Sequence, residues 1–189
     1  MYPNLQEEGQ LKLLPQLSAL FLFLLALQTF AQEQTAAPDG PKHLFQDELL
    51  TNMAGTWKAS GTIRGQSADQ TVEAQWVLNH QFLQIHETGA VASGKSSPSY
   101  SAIVMVGYDN ASERYVAHWM DIYGGRFSET LGFGARSGEQ IEFVFEYPDG
   151  PFRTTFHWLR DKKQWQWSMR TKDNAGRWSE FANLTLTPS

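Results

Sequence analysis

The side chains best suited to chemistry in this sequence are His80, His86, His118, His157, Asp121, Glu87, Glu129, Tyr108 and Arg170. Imidazoles and carboxylates move protons or orient a polar ligand group. Their spacing narrows the chemistry. No two histidines lie two or four residues apart, so the simplest local metal pairs are missing, and no protein-built metal site is expected. Cysteine is absent, which excludes thiolate sites, disulfides and a cysteine nucleophile. There is no Gly-x-Ser-x-Gly, no phosphate-binding loop and no dinucleotide fingerprint. Asp121 is the most informative group. It alternates in phase with Tyr115, Ala117 and Trp119, so it shares a strand face with large rings. A carboxylate there is either paired, with Arg126 or Arg170 as partner, or functional. Bracing a barrel rim beside Gly124-Gly125 is the simpler role. His86 falls on the face of Phe82 and Gln84.

These groups must be held by strands. From Gly55 onward, apolar and polar residues alternate through about ten short runs, a period-two pattern that predicts an all-β chain. The runs are 55–64, 70–78, 80–88, 99–108, 113–122, 125–133, 139–147, 152–160, 164–171 and 177–187, with turn residues between them. Tightly joined antiparallel strands predict an up-and-down barrel, because closure removes exposed edges. The segment 43–53 is the one helical stretch of the body, with Leu44, Phe45, Leu49 and Met53 as its stripe.

The late strands carry one aromatic face and one polar face. Ile141, Phe143, Phe145 and Tyr147 share a side, as do Phe152, Phe156 and Trp158, and Trp165, Trp167 and Met169. This face reads as the barrel interior. The rings either fill it solidly or line a ligand cavity, and composition does not choose between them. Strand 99–108 is apolar on both sides, which suits packing beneath the helix or pairing in a homodimer.

Over 189 residues, Lys and Arg number 15 against 20 Asp and Glu, for a net charge of −5. With no basic run, nucleic acid is not an expected partner. Aromatic residues make up 13 %, and the 7 Trp belong to a packed chain rather than a disordered one. Upstream, Leu17 to Leu27 is apolar apart from Ser18, shorter than the ~20 residues of a membrane span and suited to a signal peptide. Thr29-Phe30-Ala31 supplies small residues for cleavage after Ala31. The expected organisation is a signal peptide over 1–31, a flexible lead-in over 32–42 and one domain over 43–189, periplasmic or secreted. The early residues carry Glu7 and Glu8 where positive charge is expected. Initiation at Leu11 from a non-AUG codon would restore a normal leader.

Two stretches carry a resemblance. Gly55-Thr56-Trp57 with Gly61 resembles the first strand of lipocalin-like (calycin) barrels. Gly107-Tyr108-Asp109, Tyr115 and Trp119-Met120-Asp121, in that order, resemble the exported DUF1579 family over roughly residues 45 to 187. The resemblance implies a calycin-like barrel in which Trp57, with Gly55, plugs the closed end beneath the helix. It implies no chemistry. Nitrobindin-like barrels are similar and hold haem through a late histidine. Here the last strand, Trp178 to Thr187, has no histidine and His157 should point outward, so haem is not expected.

The reading is therefore an exported barrel that binds a small apolar or amphipathic molecule. Trp76, Trp119, Phe143, Phe145, Phe156, Trp158, Trp165 and Trp167 are expected to line or floor its lumen, with Asp121 and His86 orienting a polar head. The alternatives are a lumen enzyme using Asp121 or a histidine as acid/base, and a filled barrel working through a protein partner. A lumen below ~300 Å³ would favour the filled barrel.

Overall fold

The computed structural model describes residues 45–90, 99–173 and 175–189. The expected signal peptide and lead-in, and Leu44, lie outside them. Ten strands follow a single-turn helix, α1 (Glu48–Thr51). They are β1 (Gly55–Ile63), β2 (Gln66–Val77), β3 (Phe82–Gly89), β4 (Ser101–Asp109), β5 (Arg114–Asp121), β6 (Leu131–Ser137), β7 (Gln140–Tyr147), β8 (Gly150–Leu159), β9 (Gln164–Lys172) and β10 (Trp178–Pro188). A short helix α2 (Gly125–Ser128) separates β5 from β6. Each strand pairs antiparallel with its sequence neighbours, and β1 pairs with β10, so the sheet closes into an all-β up-and-down barrel. Among the described residues no helix is long and apolar enough to cross a membrane.

Two elements differ from the sequence expectation. The segment 125–133 reads as one strand but contains α2 and only the start of β6. Gly124, at φ +86°, turns the chain, the Asp121 carboxylate accepts the Tyr123 N–H, and the His118 ring donates to the Ser128 carbonyl. These local bonds outcompete strand pairing. The helix expected over 43–53 is shorter as well. Asp47 caps it by accepting the Leu50 N–H at 2.8 Å, so Phe45 and Gln46 are not helical. The stripe is nevertheless buried through Phe45, Leu49 and Met53, joined by Leu50.

This short segment plugs one end of the barrel. Three ring N–H groups donate to its carbonyls: His80 to Phe45, Trp57 to Met53 (2.8 Å) and Trp165 to Asn52 (3.4 Å). Asp47 also accepts from the Tyr115 hydroxyl and from Arg136, at 3.3 Å. Trp57 packs against Trp158, and Trp158 against Trp165. Gly55, at φ +139°, turns the chain from the plug into β1, a conformation that strains any residue with a Cβ.

Above the plug the lumen is solid. Phe143, Phe145, Phe156 and Trp167 are fully or almost fully buried, and Phe156 lies 4.7 Å from Trp167 between ring centres. The Trp167 indole donates to the buried Thr154 hydroxyl at 2.7 Å. β6 makes room for this cluster. A Cβ on Gly132 would sit 2.5 to 2.8 Å from the Phe145 ring, which is too close for real atoms.

Two outcomes are expected. Asp47→Ala should cost about 3 kcal/mol in urea denaturation, because it removes the cap and leaves Arg136 without its buried partner. Asp47→Asn, which keeps the cap, should cost less. A loss under about 1 kcal/mol in the alanine variant would show that apolar packing alone seats the plug. Gly132→Val should lower stability by about 1–3 kcal/mol by displacing Phe145.

Candidate functional site

The end opposite the plug is open. There the inward positions of several strands are small: Ala68 on β2, Gly89 on β3 and Thr171 on β9. They leave a cavity of about 690 Å³. Ile63, Phe127, Tyr147, Phe152, Met169 and Phe181 supply apolar wall, and Trp119 lies where the cavity meets the solid core, 6.0 Å from Trp167. A smaller cleft of about 410 Å³ lies beside the plug, around Asp47, Tyr108 and Arg136.

One side of the cavity is polar. Glu87 on β3 is 1 % exposed, and its Oε1 has no hydrogen-bond partner. Alternation explains its position, since Leu83, Ile85, Glu87 and Gly89 all point inward. Register then sets its neighbour. Glu87 lies opposite Ala102 on β4, and Ala102 lies opposite Asp121 on β5. The two carboxylates thus occupy one cross-strand row with only a methyl group between them. Gln70 on β2 is also buried, with an Oε1 that lacks a partner. Tyr100, just before β4, accepts the Trp119 indole N–H at 3.2 Å.

The electrostatics follow from this placement. Burial pushes the Glu87 carboxyl up to about 8, and the Asp121 charge adds to the effect. Burial and then the Glu87 charge push Tyr100 well above the usual phenol range. Burial and then Asp121 push Tyr147 up to about 12. Three groups on the wall are therefore driven toward their neutral forms. The cations Arg64 and Lys172 line the cavity too, but each lies over a ring, Phe181 and Trp178 respectively.

Of the side chains expected to form the site, Trp119 and Asp121 line this cavity. Phe143, Phe145, Phe156 and Trp167 instead form the solid core, and Trp158 and Trp165 pack with Trp57 beneath it. Trp76 is at the plugged end, stacked on His80 at 3.9 Å and edge-on to Phe45. His86 points out of the barrel, since it alternates with Leu83, Ile85 and Glu87. Its ring is hydrogen-bonded to Ser101 and lies 3.9 Å from Glu73. Neither proposed arginine reaches Asp121: Arg126 pairs with Asp149, and Arg170 donates to the Trp178 carbonyl. Among the described residues no histidine lines the cavity, and no three His, Asp or Glu side chains gather as metal ligands would.

Sequence reasoning named Glu87 as a chemical group but did not place it in the site. The signal was present, a carboxylate in phase with Leu83 and Ile85. Gln70, Tyr100 and Phe181 were missed. Phe181 is the unpaired residue of a register shift between Glu180 and Ala182, which breaks simple alternation on β10.

The chain matches the family described as "Protein of unknown function (DUF1579)" over residues 43–187. Among solved structures it is similar to the crystal structure of Rv2717c from M. tuberculosis. The TM-score is 0.50 at 10 % identity, covering 74 % of this chain and 94 % of that one. This likeness concerns the fold. No curated protein matches the chain.

Because Glu87 keeps its proton in the folded state and loses it near 4.5 when unfolded, folding takes up a proton between those values. Stability should be flat below pH 4.5 as far as this group is concerned. It should fall by roughly 1 kcal/mol per pH unit up to about 8, then level off. Glu87→Gln should remove that slope in urea midpoints measured from pH 5 to about 8. An unchanged slope would place the titration elsewhere.

Proposed function

The chain belongs to the DUF1579 family, and we propose that this barrel is an exported binder of a small apolar or amphipathic molecule held at its open end. The observation that carries the reading is the cavity of about 690 Å³, within the usual range for small-molecule pockets. A barrel meant to be filled would place large side chains at Ala68, Gly89 and Thr171, as it does near the plug. Binding would be driven by burial of apolar ligand surface, at ~25 cal/mol per Å². Glu87, Asp121 and Gln70 would select the orientation of the ligand's polar end.

A second reading draws on the same pair of carboxylates. A buried acid with a raised pKa beside a second carboxylate is a common acid/base arrangement. In a lumen enzyme, Glu87 would deliver a proton and Asp121 would receive one. Asp121→Asn separates the two readings. An enzyme loses turnover and keeps affinity, whereas a binder changes affinity alone.

The neutral dye N-phenyl-1-naphthylamine should bind one per chain with enhanced fluorescence. Ala68→Trp, which fills the cavity, should abolish this while leaving a cooperative urea transition. Binding that survives in the filled variant would move the ligand to another surface. Export is tested separately: the mature chain should be recovered outside the cytoplasm beginning at Gln32. A cytoplasmic chain that retains residues 1–31 would refute the leader.

A further inference from the structure

The cavity's polar wall says more about its ligand than that it has a polar end. Glu87 Oε1 and Gln70 Oε1 are both buried acceptors without partners, on neighbouring strands of the same wall. Asp121 adds a carboxylate across Ala102. An orphaned buried acceptor is costly unless something donates to it. Among the described residues no arginine or lysine takes that role: Arg64 and Lys172 lie over Phe181 and Trp178, and Arg126 is paired with Asp149. The complement to this wall is a group that only donates and carries positive charge. The opposing wall of Tyr147, Phe152 and Phe181 accepts apolar surface and the faces of rings.

Resting on the reading of the open end as a ligand site, we propose that the ligand is an apolar amine, bound as its ammonium ion with the nitrogen against Glu87, Asp121 and Gln70 and its apolar part against Tyr147, Phe152 and Phe181. An ammonium presents three N–H donors to three acceptor side chains. Its charge also opposes the burial and the Asp121 charge that keep Glu87 protonated, because an opposite charge close by favours the carboxylate. The exchange balances. The neutral Glu87 carboxyl and the incoming ammonium become a carboxylate–ammonium pair, and the carboxyl proton leaves to solvent. An anionic ligand gains no such pair and meets the Asp121 carboxylate at this wall, so it is disfavoured. The other described ionisable groups bordering the cavity are Asp69, Tyr100, Tyr123, Tyr147, Asp149 and the two ring-capped cations, none of which the exchange requires to titrate.

The test uses three molecules of one shape, 4-phenylbutylamine, 4-phenylbutanol and 4-phenylbutyrate, measured by calorimetry on the mature chain at pH 7. The amine should bind about tenfold more tightly than the alcohol, as a hydrogen bond to a charged group allows, and the carboxylate most weakly. Repeating the amine titration in buffers of different ionisation enthalpy should show about one proton released per amine, and none for the alcohol. This readout needs no variant. In Glu87→Gln/Asp121→Asn the amine-to-alcohol affinity ratio should collapse toward one. An alcohol that binds as tightly as the amine, or a ratio unchanged in the variant, overturns the amine assignment and leaves the ligand site standing. Binding by none of the three overturns both.

Discussion

A closed barrel has no edges, but it has two ends, and this structure depends on how one of them is sealed. The seal is small: a single helical turn with its flanking residues. Apolar burial of Phe45, Leu49, Leu50 and Met53 supplies most of its attraction. Burial alone would leave the backbone carbonyls of so short a segment unsatisfied in an apolar setting. The ring N–H groups of His80, Trp57 and Trp165 satisfy three of them, and Asp47 ties the start of the turn to β5 and β6 through Tyr115 and Arg136. With one end fixed in this way, the large rings stack upward from it and the larger cavity lies at the other end.

That division accounts for what the sequence reveals and what it hides. Period-two alternation marks the inward face of nearly every strand, because the face is decided by local geometry. It therefore identifies Trp165, Trp167 and Phe143 as interior and predicts the closed meander. It does not measure depth. Phe145 and Phe152 share a sheet face and stand opposite each other in register, yet one belongs to the solid core and the other lines the cavity. Depth depends on the tilt and stagger of the whole barrel, a collective property absent from any single strand. The same limit explains why Glu87 and Asp121 look unrelated in the chain. Their proximity arises from two successive registers, each through Ala102. Where local bonds dominate, as around Gly124 and Asp121, alternation misreads a short helix as strand.

The two halves of the lumen also pay for different things. Below, the indole N–H groups of Trp167, Trp57 and Trp165 find partners within the fold, on Thr154 and on the plug, while that of Trp76 stays unmatched. Above, Glu87 and Gln70 carry acceptor atoms that the fold does not satisfy. Buried polar groups are ordinarily matched in native proteins. At the open end unmatched acceptors border empty volume, whereas a packing defect would be empty but apolar.

The pairing of β1 with β10 has a consequence for the order of folding. These strands are the first and last of the barrel, so the ring cannot close until almost the whole domain is present. Contacts this distant in sequence slow folding, because the chain must be brought together before they form. Until then β1 and β10 each keep one edge unpaired, and the aromatic face of β7 to β9 has no opposing wall. A growing chain therefore remains an open, ring-studded sheet for most of its synthesis. In that interval the hairpins from β7 onward are the part most in need of shielding from other chains.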